Sequence, residues 1–408
     1  MQKKIIATAV ALAAAAPLAA QAVDFAVGSS TNLSINGLFA VGLKNGEVSN
    51  TTRAVKNEIR IDDNTSRLIF SGNTDLGQGI KAIFRVESRF TTDTRPSTPL
   101  IPGSASNVAS ATGWADGDTY AGIAGSFGSI YFGKSTLYYA DTLSMPYLGI
   151  KGAGEGYRAW DGNGLATFNL LSEVGTKGGN FTTFGITRSQ NVLRWDSAPV
   201  NGFDGSVAYT KNAAGDENHF GCAGCAVDYA SGGTWYGRLR YNGGPLTASL
   251  SAFNTKVQGA AVAAPYVGPL DKTGVRAGVG YTFDTGLKLG LVYDNTKVKN
   301  GIPGVAQDAK RGVIELPASY SWGPHAAYVT YTRAGNTSNL DASGARQFNL
   351  GYDYMLGKNT FAGVMFTRFK NDSNGGYAPF LTGSALGATS PRPGEGFRQL
   401  SFDVNYWF

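Results

Sequence analysis

The chain has 408 residues and a formal net charge of +6, yet only 16% of its residues are charged, against roughly 25% in an ordinary soluble protein. Glycine fills 56 positions and aromatics make up 12%, which excludes a disordered, highly charged polymer. After residue 22 no run reaches the roughly 18 apolar residues of a transmembrane helix, and no basic run marks a nucleic-acid partner.

The N-terminus comes first. Lys3 and Lys4 precede an Ala-rich apolar run from Ile5 to Leu18, and Ala20-Gln21-Ala22 fits a small-x-small cleavage site. This pattern predicts a secretory signal peptide over 1–22 and a mature domain over 23–408. Without Lys3 and Lys4 the formal charge falls from +6 to +4. An exported chain of this composition is either a secreted all-β protein or a bacterial outer-membrane barrel.

Alternation of apolar and polar residues then runs along the chain, which is the strand signature. Sixteen segments carry it: 32–45, 66–73, 79–90, 119–126, 129–136, 191–197, 204–211, 234–242, 246–257, 274–284, 287–297, 312–322, 325–333, 346–355, 360–370 and 397–408. The last is the clearest, with Leu400, Phe402, Val404, Tyr406 and Phe408 on one face and Gln399, Ser401, Asp403, Asn405 and Trp407 on the other. Which face is which stays open at Lys134 and between Phe361 and Phe369.

Connection lengths alternate as well. Short turns, such as Ser126–Gly128, Asp284–Gly286 and Gly323–Pro324, are interleaved with long links at 46–57, 91–118, 137–190, 212–233, 258–273, 298–311, 334–345 and 371–396. Short turns at one end and long loops at the other are the outer-membrane pattern. The expected fold is all-β: a transmembrane antiparallel β-barrel of sixteen strands, with short periplasmic turns and long extracellular loops. Antiparallel closure satisfies every backbone N–H and C=O in lipid.

Several motifs compete with this frame. Gly128 to Ser135 matches the phosphate-loop pattern, but its middle residues alternate like a strand and no helical pattern follows, so nucleotide binding is set aside. Cys222 and Cys225 form a C-x-x-C in the fourth long link, which in an exported chain favours a small loop disulfide. His219 and His325 are the only histidines, and they complete neither a zinc set nor a hydrolase constellation. No metal, cofactor or enzyme activity is expected.

Taking the apolar phase as lipid-facing, Lys81, Arg85, Glu87, Arg89, Arg194, Asp196, Arg238, Arg240, Arg276 and Lys288 point inward. Inward acids on later strands are Asp294, Glu315, Asp353 and Asp403. Such charges either bias which ions enter or pair among themselves and keep the lumen wet.

Four stretches resemble the Gram-negative general porins of the beta-proteobacterial type. They are Ser66–Gly72 with Thr74–Gly77, Gly79–Ser88, Tyr120–Ile123 with Phe127–Lys134, and the terminal Tyr406-Trp407-Phe408. The resemblance implies a homotrimer with one water-filled pore per subunit. It implies that the third long loop, Tyr138 to Arg188, folds into the pore as a constriction carrying Asp141, Lys151, Glu155, Arg158 and Asp161. Arg67, Lys81, Arg85 and Lys134 would be the facing basic wall, and Tyr406 and Phe408 an end signal read by the barrel-assembly machinery.

The expected function is passive diffusion of ions and small hydrophilic solutes through the outer membrane, with a modest anion preference. The alternatives are a channel specific for organic acids or sugars, an outer-membrane enzyme and a plugged scaffold.

Overall fold

The computed structural model describes residues 23–27, 30–53, 58–63, 66–90, 114–138, 141, 188–210, 231–258, 271–302, 304–377 and 392–408. Its strand segments in chain order are β1 (Val23–Val27), β2 (Thr31–Ser49), β3 (Glu58–Asp63), β4 (Arg67–Gly77), β5 (Ile80–Arg89) and β6 (Thr119–Gly125). There follow β7 (Gly128–Thr136), β8 (Arg188–Asp196), β9 (Phe203–Thr210), β10 (Ser231–Gly243), β11 (Leu246–Gln258) and β12 (Lys272–Thr282). The last six are β13 (Leu287–Val298), β14 (Ala309–Trp322), β15 (His325–Ala334), β16 (Ala345–Met355), β17 (Thr360–Asn371) and β18 (Gly396–Trp407).

From β4 to β18 each strand pairs antiparallel with the next. β18 then pairs with β2, from Gly396 opposite Ser49 to Trp407 opposite Leu38, and β2 pairs with β4. The sheet is therefore closed, and it has 16 staves. The two extra segments complete existing staves. β3 prolongs β4 along β2, and β1 prolongs the line of β18 along β2. At the break between β3 and β4 the Ser66 hydroxyl takes the place of a ladder carbonyl, accepting from the Ala40 N–H at 3.0 Å.

Burial is inside out relative to a soluble protein. Leu239, Leu250, Val275, Leu291, Ile314, Leu350 and Leu400 are exposed on the outer wall, while Arg276, Asp294, Thr332, Gln347 and Asp403 are buried inside. Facing hydrocarbon, each such aliphatic side chain gains about 1.5–3 kcal/mol relative to water. A cation at the same depth would cost about 2–4 kcal/mol, which is why charge appears only on the inward phase of the waist. Aromatics gather at the turn end, where Trp322 stacks on His325 at 5.2 Å and Phe203 lies 4.7 Å from Tyr241.

All sixteen predicted segments are present, with ends shifted by a few residues. The link at 46–57 is not wholly a loop, because β2 runs on to Ser49, and β3 at Glu58–Asp63 is a strand segment that the sequence reading did not include. Apolar alternation stops at Leu43 because beyond it the outward side chains are Asn45 and Glu47, polar residues that have left the hydrocarbon. The open phase on β17 is also settled. Phe361, Met365 and Phe369 are buried inside, and Val364 is exposed outside.

Gly128 and Gly117 are among the positions where close approach favours glycine. Gly128 opens β7 at φ +98°, and a Cβ there would lie 2.0 Å from the Asp196 carbonyl oxygen. A Cβ on Gly117 would lie 2.4 Å from Glu87 Cγ, so this glycine lets the chain pass over the Glu87 side chain.

Candidate functional site

The lumen wall is built by the inward phase of each strand, and its charges fall into three groups. The first is centred on Glu87 of β5. Arg67 Nη1 lies 3.0 Å from Glu87 Oε1, Arg85 Nη2 lies 2.9 Å from Oε2, and Arg89 Nε lies 3.8 Å from Oε1. Arg67 is fully buried and Glu87 nearly so, whereas the Arg85 side chain is 29% exposed and faces the open lumen. Three guanidiniums converge on this one carboxylate, with Asp116 beside them accepting from the Arg89 backbone N–H at 2.7 Å. Lys81 shares the inward phase of β5 nearer the turn end, opposite Asp75.

The second group spans β6 to β10. Tyr120 stacks on Tyr131 with ring centroids 4.1 Å apart, and the Tyr131 hydroxyl donates to Asp196 at 2.9 Å. Arg194 donates to Asp196 and to the Thr136 carbonyl, both at 2.8 Å, and lies within 6 Å of the Tyr131 and Tyr236 rings. Arg240 donates to Asp204 at 3.0 Å, and Arg238 lies 3.6 Å from the same carboxylate. These arginines are neutralised by their neighbours.

The third group shows where the chain goes after β7. Leu137 and Tyr138 are fully buried in an apolar patch made by Val192, Ala208, Tyr236 and Phe253, all inward residues of β8 to β11. Tyr138 meets the Phe253 ring edge-on at 4.7 Å and donates its hydroxyl to Asp294 Oδ2 at 2.6 Å. Burial, reinforced by the Asp294 carboxylate, pushes the Tyr138 hydroxyl well above the usual phenol range, so it acts as a neutral donor. Arg276 completes the anchor. It pairs with Asp294 at 2.9 Å, sits 4.4 Å over the Tyr138 ring, and donates to the backbone carbonyls of Tyr138 and Asp141 at 3.0 and 3.3 Å. The Asp141 carboxylate accepts from the Tyr236 hydroxyl and from Arg238 Nη1 at 3.4 Å. The third loop therefore begins inside the barrel, tied to the wall from β8 to β13.

Of the predicted wall residues, Arg67, Arg85 and Arg89 come together. Arg194, Arg238, Arg240 and Arg276 line a second stretch, and Lys81 and Lys288 share the inward phase of their strands. Lys134 does not belong to the wall. Ser135 points inward to Arg194, so Lys134 falls on the outward phase of exposed Phe132, and its Nζ donates to the Ala115 carbonyl at 2.9 Å. Asp141 is inside the lumen, whereas Lys151, Glu155, Arg158, Asp161, Cys222 and Cys225 lie outside the described residues. Tyr406 and Phe408 lie at the turn end beside the closing seam. Phe408 exchanges backbone hydrogen bonds with Gly37, and its ring is 5.9 Å from Phe39 and 6.0 Å from Tyr406.

Sequence reasoning missed three inward cations, Lys44, Lys272 and Arg311, all buried. Lys44 follows the phase of Ala40 on β2, so that signal was available. Lys272 and Arg311 lie in the first residues of β12 and β14, just outside the predicted segments.

The Gram-negative porin family matches residues 7–374 of the chain. The chain belongs to the Gram-negative porin family. Among relatives, the porin is 28% identical over 227 residues to the major outer membrane protein P.IB of Neisseria gonorrhoeae, covering 54% of this chain and 53% of that one. The chain thus spans about half the length of that relative. It is 26% identical over 314 residues to outer membrane porin protein 32 of Delftia acidovorans, covering 76% of each chain. In fold, it is similar to an anion-selective porin from Comamonas acidovorans, with a TM-score of 0.68 and 21% identity over 93% of this porin and 100% of that chain. The family and the closed barrel place the porin in the outer membrane.

Proposed function

We propose that this porin is a passive channel for ions and small hydrophilic solutes, with a modest preference for anions. The observation that carries the reading is the Glu87 group, where Arg67, Arg85 and Arg89 share one carboxylate on the open wall. Net positive charge on a water-filled wall lowers the entry barrier for anions and raises it for cations. Elsewhere on the wall Arg194, Arg238, Arg240 and Arg276 are paired with acids, so selectivity is modest rather than absolute. A similar barrel described as anion-selective supports the same sign.

The third loop narrows the path, held at its root by Tyr138 and Asp141. Solute enters among the long loops, passes between this loop and the Glu87 wall, and leaves at the turn end. No bond is made or broken and no energy source is coupled. The assembly is a homotrimer, which the trimeric form of a structurally similar outer-membrane protein from Vibrio cholerae supports. The segment 1–22 directs export and is removed, Tyr406 and Phe408 serve the barrel-assembly machinery, and Cys222 and Cys225 close a loop disulfide.

Purified protein in a planar lipid bilayer tests the channel reading. Stepwise ohmic conductance, with steps arriving in threes, is expected. A folded barrel that inserts and conducts nothing would replace the channel with a plugged scaffold.

A further inference from the structure

Arg67, Arg276 and Arg311 are fully buried on the inner side of the wall. The first two rest on carboxylates, Glu87 at 3.0 Å and Asp294 at 2.9 Å. Among the described residues Arg311, near the long-loop end of β14, has none. Its Nε, Nη1 and Nη2 atoms are sealed from solvent, and no hydrogen-bond partner reaches any of them. The acids around it are committed elsewhere. Asp308 pairs with Lys297 at 2.6 Å, and Asp372 pairs with Arg333 at 2.8 Å. Glu315, two inward positions along β14, accepts from Thr332 at 3.1 Å. Sequence supplies few others: Asp308 is the only acid in 298–311, and 371–396 contains only Asp372 and Glu395. Glu395 accepts from Arg53 at 2.9 Å.

Two hydroxyls share this neighbourhood. Thr296 lies directly opposite Arg311 on β13, inward and fully buried, which sets their Cβ atoms about 5 Å apart. The ring of Tyr377, in the last long link, covers the guanidinium at 5.2 Å. Asn371 holds Tyr377 there: its Oδ1 accepts from the Tyr377 N–H at 3.0 Å, and its Nδ2 donates to the Tyr377 carbonyl at 2.9 Å. Thr296 Oγ1 and the Tyr377 hydroxyl are likewise buried without a partner. A lone buried cation is costly unless charge and hydrogen bonds meet it. Every one of these groups can donate, so the ligand that fits only accepts and carries negative charge. Sealing from solvent limits it to a small ion that stays, rather than a solute that passes.

We propose that Arg311, Thr296 and Tyr377 hold a resident monatomic anion, chloride in ordinary salt, between β13, β14 and the last long link. Arg311 supplies the charge and a fork of N–H donors, and the two hydroxyls complete the shell. The ion ties the Tyr377 segment to the wall. The site stands apart from the Glu87 group, and its buried side chains do not line the open lumen. The competing arrangement is a water between Arg311 and Asp294 Oδ1, which also lacks a partner. Such a water brings no charge and no dependence on halide.

The test uses the purified porin, crystallised from sodium bromide and melted in detergent micelles. Anomalous diffraction at the bromine edge should place a bromide within hydrogen-bond reach of Arg311 in wild-type crystals, which requires no variant. At matched ionic strength, chloride should raise the thermal midpoint by about 2 °C over gluconate, an anion too large for the site, and the rise should saturate. The Thr296→Val/Tyr377→Phe variant keeps the cation and should need about tenfold more chloride for the same rise. Arg311→Met, its fold checked by circular dichroism, should lose the chloride dependence. Density at Arg311 without a bromine signal would overturn the proposal. A chloride dependence that survives in Arg311→Met would overturn it as well.

Discussion

Tyr138, two residues beyond the end of β7, donates its hydroxyl to Asp294 on β13 at 2.6 Å. In sequence 156 residues separate them, and five staves stand between their strands. This neutral donor is one of several ties between the root of the third loop and the wall, and Arg276 neutralises its acceptor. A hydrogen bond to a charged partner contributes about 1.5–3 kcal/mol. Tyr138→Phe should therefore leave the barrel folded but loosen the loop root. Single-channel records of this variant are expected to show greater open-channel noise than wild type. Identical noise would mean that the loop root is held by its apolar packing and by the bonds from Arg276, Tyr236 and Arg238.

The Glu87 carboxylate is the counter-charge for three arginines. Replacing it with Gln leaves guanidiniums repelling one another in a buried setting, where removing one partner costs about 3–5 kcal/mol. Glu87→Gln should lower the thermal midpoint of the folded barrel and push the reversal potential further toward anions. Circular dichroism melts and bilayer recordings read the two effects separately.

Gly128→Ala should be among the most damaging single-methyl changes. The new Cβ meets the Asp196 carbonyl oxygen at 2.0 Å, and φ of +98° is hostile to any L side chain. Strain of this kind costs about 1–3 kcal/mol before the clash is counted. Refolding yield into detergent micelles should fall sharply. Gly77→Ala, with nothing within 4 Å of its Cβ, should be milder despite its positive φ.

Glu395, at the long-loop end just before β18, joins the first and last loops. It accepts from Arg53, from Thr51 and from the Arg392 N–H. Burial alone would raise its pKa, but the bonds to Arg53, Thr51 and Arg392 outweigh it and hold the carboxyl below the usual range. A depressed pKa means the clasp stabilises the fold at pH values above the ordinary glutamate pKa of about 4.3 and is lost as pH falls through the lower folded value. Hydrogen exchange around residues 50–53 and 392–395 should accelerate below about pH 4. Glu395→Gln should exchange fast at every pH and lose the acid step.

The barrel was legible in sequence because its outer wall sees only hydrocarbon, which forces strict alternation at the waist. Legibility faded where that constraint ends. Asn45 and Glu47 carry β2 beyond the hydrocarbon, so its last residues, Gly46 to Ser49, paired with β18, read as loop. Lys134 read as pore-lining, yet one step of phase puts it outside, fixed by Ser135 turning in toward Arg194. Plain alternation along β7, with exposed Phe132 two residues before it, already puts Lys134 on the outer phase. The anchor at Tyr138 was invisible for a different reason. It joins β7 to β13 across the lumen, and no local pattern encodes a contact 156 residues away.

The sign of selectivity is the most direct test. Reversal potential in a KCl gradient should be recorded for wild type and for Arg85→Gln/Arg89→Gln, which removes two guanidiniums from the Glu87 wall while leaving Arg67 paired. An anion-biased wild type whose bias disappears or reverses in the variant is the predicted result. A cation-biased wild type, or an anion bias untouched by the double substitution, would contradict the assignment of the Glu87 group as the selective wall.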